Sequence, residues 1–291
     1  MAEEHKRGVM SRIAVLRLLA FFFVPAFVYG IGGLTIMRIT PLLAADIRDV
    51  FRVGSAVVVG ALVIVTYLLL VRHMEHRPAK ELAPLRGSAL LAGGMLIAFV
   101  MFCVVYGVLA GLGDAHWRGI LGYGHVGAFV AMAIMSGVGE EIIFRGGMYR
   151  ILEDAFGSGA ALILSGAAFG AMHLGNPHAT MMSAAAIALE AGVLLGAAYA
   201  ATRSLWLPIG IHIGWNFTEG GVFGASVSGS KAGQGILDFP LTGSDTLTGG
   251  GFGPEASAVT VAICLVIGIV FVVRTVRRGR WVPVSFHMLL D

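Results

Sequence analysis

The sequence predicts an all-α fold: a polytopic bundle of about eight transmembrane helices with both termini cytoplasmic. The first observation is composition. Of 291 residues, 57% are hydrophobic and 13% charged, and the mean hydropathy is +0.86. With its 42 glycines counted in, the apolar share is about 71%, against about 45–50% for a soluble domain counted the same way. A soluble chain of this size must cover its outside with polar groups, so soluble, secreted and disordered classes are excluded. The second observation is that apolar runs of about membrane-spanning length recur between short polar connections, and eight spans take about 160 residues. The third is a charge asymmetry between alternate connections.

The elements follow in order. Residues 1–12 are polar and basic, and the run 13–37 is too long for a signal-peptide h-region, so it reads as a retained first helix kinked by Pro25. A charged connection leads to a second span over 53–71. A link rich in Arg and Pro follows, then a third span over 88–110. A fourth run starts near residue 120 and passes through Gly139-Glu140-Glu141 without a breaker to about residue 155. Gly157 and Gly159 mark the turn into a fifth helix over 160–174, which Asn176-Pro177 ends because a residue before proline disfavours the α region. A sixth helix covers 180–202 and a short seventh 208–219. Residues 220–254 form a Gly/Ser-rich flexible loop, open between a lid and a passive connector. Pro254-Glu255 opens an eighth helix that runs to residue 273, with the carboxylate at its positive dipole end. The short helices five to seven leave room for re-entrant pieces. The whole of 1–291 reads as one integral membrane domain.

With the N-terminus inside, the inner segments hold Lys6, Arg7, Arg12, Arg72, Arg77, Lys80, Arg86, Arg145, Arg150, Arg203, Arg274, Arg277, Arg278 and Arg280. The outer segments hold Arg38, Arg48, Arg52, Arg118 and Lys231. Basic residues gather on the cytoplasmic side, which sets both termini there and, in a bacterial cell, places the chain in the inner membrane. The net charge of +3 therefore reports topology rather than a nucleic-acid partner. Cys103 and Cys264 lie within apolar runs and read as small packing residues.

An ionisable group at bilayer depth costs several kcal/mol and marks a polar cavity or a working site. Glu141 and Arg145 lie four apart on one helix face and can pair in the favourable acid-first order. Glu140 falls about 140° from Arg145 at the helical repeat, which leaves its carboxylate for chemistry. His173 stands near the break at Asn176-Pro177. His212 and Asn216 share a face, where both can donate to one oxygen. Glu190, within the sixth helix, reads as structural. A carboxylate with an imidazole can deprotonate water, and an imidazole with an amide can hold an oxyanion; together they describe hydrolysis of an acyl bond. One tension stands: Glu140 falls towards the inner end of the fourth helix and His173 near the outer end of the fifth, yet both must reach one water in a wet cavity at mid-depth.

Glu-Glu-x-x-x-Arg (Glu140 to Arg145), Phe-x-x-x-His (Phe169 to His173) and His-x-x-x-Asn (His212 to Asn216), in this order, resemble the CAAX protease and bacteriocin-processing family. These are glutamic intramembrane endopeptidases that include the type II CAAX prenyl endopeptidases. The likeness covers residues 120–220, which are then the catalytic core helices. Ser204-Leu-Trp-Leu-Pro-Ile-Gly-Ile-His212 is similar to the family's approach to its third motif. The resemblance implies that Glu140 activates water with His173, that His212 and Asn216 hold the oxyanion, and that Glu141 and Arg145 support the first motif. It implies a peptide or protein substrate and no cofactor. Only some members process prenylated proteins, so lipidation of the substrate is not carried over.

Two other chemistries fit the same residue types. Glu140, His173 and His212 could bind Zn²⁺ in a membrane metalloprotease, although His-Glu-x-x-His is absent. Intramembrane Glu, His and Arg also mark ion relays, so a transporter or a non-catalytic immunity protein stays open. No Gly-x-Ser-x-Gly or phosphate-binding Gly-rich motif is present.

Overall fold

The computed structural model of the chain describes residues 2–123, 126–230 and 233–284. Among the basic residues that set the expected topology, the side chains of Lys6, Arg7, Arg12, Arg86 and Lys231 lie outside the described part. Long helices dominate: α1 (Ala2–Ile39, with Pro25 inside), α2 (Arg48–Met74) and α3 (Gly87–Leu112). Next, α4 (Val126–Glu141) continues through a π-helical stretch, Ile142–Tyr149, into α5 (Arg150–Met172). Then α6 (Met181–Ile187), the π turn Ala188–Gly192 and α7 (Val193–Thr202) form one further span. α8 (Trp206–Asn216) is followed by the π turn Phe217–Val222. The short α9 (Asp245–Thr248) precedes α10 (Ala258–Arg277). Among the described residues the strand content is one small antiparallel pair, β1 (Gly119–Ile120) with β2 (Leu237–Asp238), in the register Gly119 to Asp238.

Among the described residues six stretches are long and apolar enough to cross a bilayer. One of them, Val126–Gly175, is 50 residues long and goes out and back, because Gly157 breaks it at φ 83° and ψ 168°. Only glycine adopts such a conformation without penalty. Its would-be Cβ also lies 2.8 Å from the Pro283 carbonyl oxygen. This hairpin resolves the tension over depth. Glu140 stands 17 residues before Gly157 and His173 16 after it, about 25 and 24 Å along their helices at 1.5 Å per residue. Phe144 and Phe169, similarly spaced about the break, meet edge to face at 5.0 Å between centroids.

Polar contacts gather both ends of the described chain at one end of the bundle. Glu75 accepts from Arg17 Nε at 3.1 Å and pairs with Arg77 Nε at 2.7 Å and Arg150 Nη2 at 2.9 Å. Glu81 pairs with Arg77 Nη2 at 2.8 Å and accepts from the Tyr67 hydroxyl. Arg203 pairs with Glu153 and donates to the Arg280 carbonyl. Arg17, embedded in the first apolar run, belongs to this belt.

The short α8 is held between α3 and α4. Gly210 and Gly214 recur at the four-residue spacing that lets membrane helices approach closely. A Cβ at Gly210 would stand 2.2 Å from the Leu91 carbonyl oxygen, and one at Gly214 2.6 Å from Met95 Cα. At the far end of the bundle, the connection from α8 to α10 carries β2 and α9 and buries Val227 and Phe252. The start of α10 corrects the sequence reading: its N-cap is Ser257, whose side chain accepts from the Val259 amide, and Glu255 faces elsewhere.

Two outcomes follow. Gly214→Leu must push α3 off α8 and should lower the melting temperature in detergent, while Gly54→Ala, inside α2 with open space around it, should leave it equal or slightly higher; differential scanning fluorimetry checks both. Glu75 lies outside the spanning segments, and its carboxyl is held below the usual carboxylate range: burial pushes it up, but Arg150 and Arg17 outweigh burial. A folded-state value below the unfolded one adds stability at neutral pH that is lost as pH falls through the folded value. Melting temperature should therefore drop on acidification below about pH 4. Glu75→Gln should cost on the order of 3 kcal/mol at neutral pH and flatten that acid limb.

Candidate active site

Three π-helical segments mark where the intramembrane polar groups sit. The first follows directly on Glu140-Glu141, the second contains Glu190, and the third follows Asn216 and contains Glu219. Such wide turns are rare and recur at functional positions.

Glu141 and Arg145 form the pair that their spacing predicts, at 2.8 Å, with side chains 0% and 1% exposed. Arg145 thus lies buried in mid-helix rather than at the basic end of the bundle. It also donates to the carbonyls of Ala191 at 2.8 Å and Gly192 at 3.3 Å, and its guanidinium lies over the Phe169 ring at 4.7 Å. Glu141 Oε1 has a second partner that no local pattern announces: His212 Nδ1, 71 residues on, at 2.8 Å. The other ring nitrogen, Nε2, faces Glu140 Oε2 at 3.9 Å.

Glu140 has no arginine partner among the described residues. Its side chain is 20% exposed, and the Tyr29 hydroxyl donates to its Oε1 at 3.5 Å. Tyr29 can lie there because residue 139 is glycine, whose Cβ would fall 2.4 Å from the tyrosine ring. On α8, Asn216 Nδ2 donates to Ser136 Oγ at 2.7 Å, and Ser136 donates to the Met132 carbonyl at 3.0 Å. That fixes the carboxamide and leaves its second N–H for another acceptor. His173 Nδ1 donates to the Phe169 carbonyl at 2.8 Å. A carbonyl only accepts, so Nδ1 carries the proton and the neutral ring presents Nε2 as an acceptor.

Phe169 joins the imidazoles: its centroid lies 4.8 Å from that of His173 and 6.1 Å from that of His212. Glu140, Glu141, Arg145 and His212 are thereby gathered through direct contacts, and Asn216, four residues after His212 on α8, bonds to Ser136 of the helix that carries Glu140. His173 joins them across the Phe169 ring, and among the described residues no hydrogen bond links it to Glu140. Tyr29 and Ser136 were not foreseen. Ser136 had a signal, since it precedes Glu140 by four residues on one helix face; Tyr29, on another helix, had none.

Glu190 is 2% exposed, with Oε2 unpartnered. It lines a cavity of about 20 Å³ with His212, Trp215 and Cys264, room for one water. A larger groove, about 690 Å³, runs between α1, the start of α2 and α4. Ile36, Met132 and Met135 form its walls, Arg48 and Arg52 its outer rim, and Tyr29 the end beside Glu140. Among the described residues no three His, Cys, Asp or Glu side chains gather as a metal-holding group.

Fold and site together define an integral, multi-pass membrane protein with a carboxylate–imidazole centre buried among its helices. Residues 122–218, a third of the chain, match the family model described as type II CAAX prenyl endopeptidase Rce1-like. The match spans all three motifs and points to a CAAX-type membrane protease, that is, a hydrolase acting on a peptide or protein substrate. Neither the curated proteins nor the solved structures contain a match.

Proposed function

We propose that this protein is an intramembrane endopeptidase of the glutamic type, cutting a peptide bond with water activated by Glu140 and His173. The observation that carries the reading is the division of labour between adjacent carboxylates. Glu141 is occupied by Arg145 and His212, whereas Glu140 has a hydroxyl partner and partial access.

In the proposed reaction Glu140 takes a proton from a water that His173 Nε2 orients. The water oxygen attacks the scissile carbonyl carbon. The resulting oxyanion accepts from Asn216 Nδ2 and His212 Nε2. The C–N bond then breaks, and the leaving amine takes the proton held on Glu140. With Nδ1 donating to Glu141, His212 offers a proton on Nε2 as the imidazolium, so the oxyanion role requires the charged ring. General base catalysis contributes about 10²–10⁴ in rate, and each oxyanion donor about 10²–10³. A zinc reading finds less support, because its ligand set does not gather in space among the described residues.

The groove that ends at Tyr29 fits a substrate with a hydrocarbon chain. Its walls are apolar, and its inner end adjoins Glu140.

Purified protein in detergent, given matched lipidated and unlipidated peptides and followed by mass spectrometry, should show cleavage that survives chelators. Glu140→Gln should lower kcat by at least about 10² and Asn216→Ala by about 10²–10³. Full activity of Glu140→Gln rejects the mechanism. Lipidated peptides should show the lower KM, and Met132→Trp, which fills the groove, should raise KM for them alone. Equal KM values for both peptides reject the assignment of the groove.

A further inference from the structure

A carboxylate outside the proposed reaction holds both of its halves. Glu255 sits in the short turn Pro254–Ala256 ahead of α10 and is 4% exposed. Its Oε1 accepts from Trp215 Nε1 at 3.2 Å. Its Oε2 accepts from the Ser228 amide and from Ser228 Oγ, each at 2.7 Å. Trp215 stands on α8 between His212 and Asn216. The Ser228 carbonyl accepts from Asn176 Nδ2 at 2.9 Å, and the Asn176 amide donates to the His173 carbonyl at 3.0 Å. One side chain is thus bonded towards the His212–Asn216 helix on one oxygen and towards the His173 turn on the other.

The chemistry of the site calls for a carboxylate. Three donors converge, and an ionised carboxylate is acceptor-only on both oxygens. A glutamine of the same shape must turn its NH₂ towards either the indole N–H or the Ser228 amide N–H. Ser228 also holds a φ of 47°, a region a non-glycine residue leaves unless its surroundings hold it. The next residue, Gly229, packs on the Pro177 carbonyl, 1.8 Å from its would-be Cβ, so a shift at Ser228 reaches the segment behind His173. The neighbouring buried acids differ: Glu219 turns to Glu255 itself and Glu190 Oε2 has no hydrogen-bond partner, so neither ties two segments together in this way.

We propose that Glu255 is a positioning residue that sets the His173 turn against the His212–Asn216 helix; its catalytic consequence rests on the endopeptidase reading above. It touches no reacting atom and acts through Trp215 and Ser228. A misplacement of about 1 Å far from the chemistry can cost about 100-fold in rate. Glu255→Gln should therefore lower kcat about 10- to 100-fold on the peptide panel, with KM within about twofold.

The test is made on the full-length protein in detergent, with kinetics and NMR side by side. Indole ¹⁵N–¹H spectra report Trp215, assigned by Trp215→Phe. Imidazole ¹³Cε1 spectra report His173 and His212, assigned by His173→Gln and His212→Gln. In Glu255→Gln the Trp215 signal and both imidazole signals should move, although Glu255 contacts neither ring. Movement of the indole signal alone, with wild-type kcat, overturns the proposal, as does an unmoved indole signal. Cleavage of no peptide by the wild type, with both imidazole signals moving in Glu255→Gln, rejects the endopeptidase reading and sustains the coupling. If Glu255→Gln fails to fold, Ser228→Ala weakens one arm, keeping its amide bond but losing the hydroxyl bond, and Trp215→Phe removes the other. Ser228→Ala should then move the His173 signal and Trp215→Phe the His212 signal; the same response to both overturns the two-armed arrangement.

Discussion

Arg145, buried in the middle of a membrane-crossing helix, is where the parts of this molecule meet. Removing a guanidinium and a carboxylate from water costs several kcal/mol per ion, and pairing repays it only when further hydrogen bonds complete both groups. Here the further bonds come from other segments. Arg145 takes the carbonyls of Ala191 and Gly192, at the end of a π turn in the sixth span, and lies over Phe169 of the fifth. Glu141 takes His212 of α8. A pair that is local in sequence thus acts as a clasp for three other elements. Lipid tails supply no hydrophobic drive between helices, so packing and polar contacts of this kind carry the association.

The same clasp separates two adjacent carboxylates. Glu141 is consumed by structure and Glu140, one residue earlier, points away from Arg145 towards the hydroxyl of Tyr29 and the second nitrogen of His212. Helix geometry keeps Glu140 off Arg145, since neighbours in sequence face different ways around the axis, and the two acids meet instead on the two nitrogens of His212.

Depth is set by a different device. The break at Gly157 folds one long apolar run into a hairpin whose two limbs carry Glu140 and His173 at nearly equal distances from the turn. Glycine contacts then fix the lateral spacing, with Gly210 and Gly214 drawing α8 against the backbone of α3. The connection beyond α8 returns across the far end of the bundle, where Glu255 ties Ser228 to Trp215. The short helix that bears His212 and Asn216 is therefore held on its flanks by glycine packing and from its far end by a carboxylate.

Much of this was legible in the residues alone. Apolar run length defines the spans, because the bilayer core imposes one thickness on every crossing. The break at Gly157 and the Glu141–Arg145 pair are local, governed by backbone sterics and by the helical repeat, and sequence spacing reports both. Six polar residues in apolar runs identified the motif positions, because charge at bilayer depth is too costly to be incidental. Tertiary structure alone decided the second partners: His212 on Glu141, Tyr29 on Glu140, Ser136 on Asn216, and Trp215 with Ser228 on Glu255. These contacts join residues from 27 to 111 apart. They depend on helix order and rotation, which a span apolar on every face does not encode in its periodicity. Glu255 shows the limit most plainly: read locally it is a carboxylate at a helix start, and only the packed bundle gives it two segments to hold.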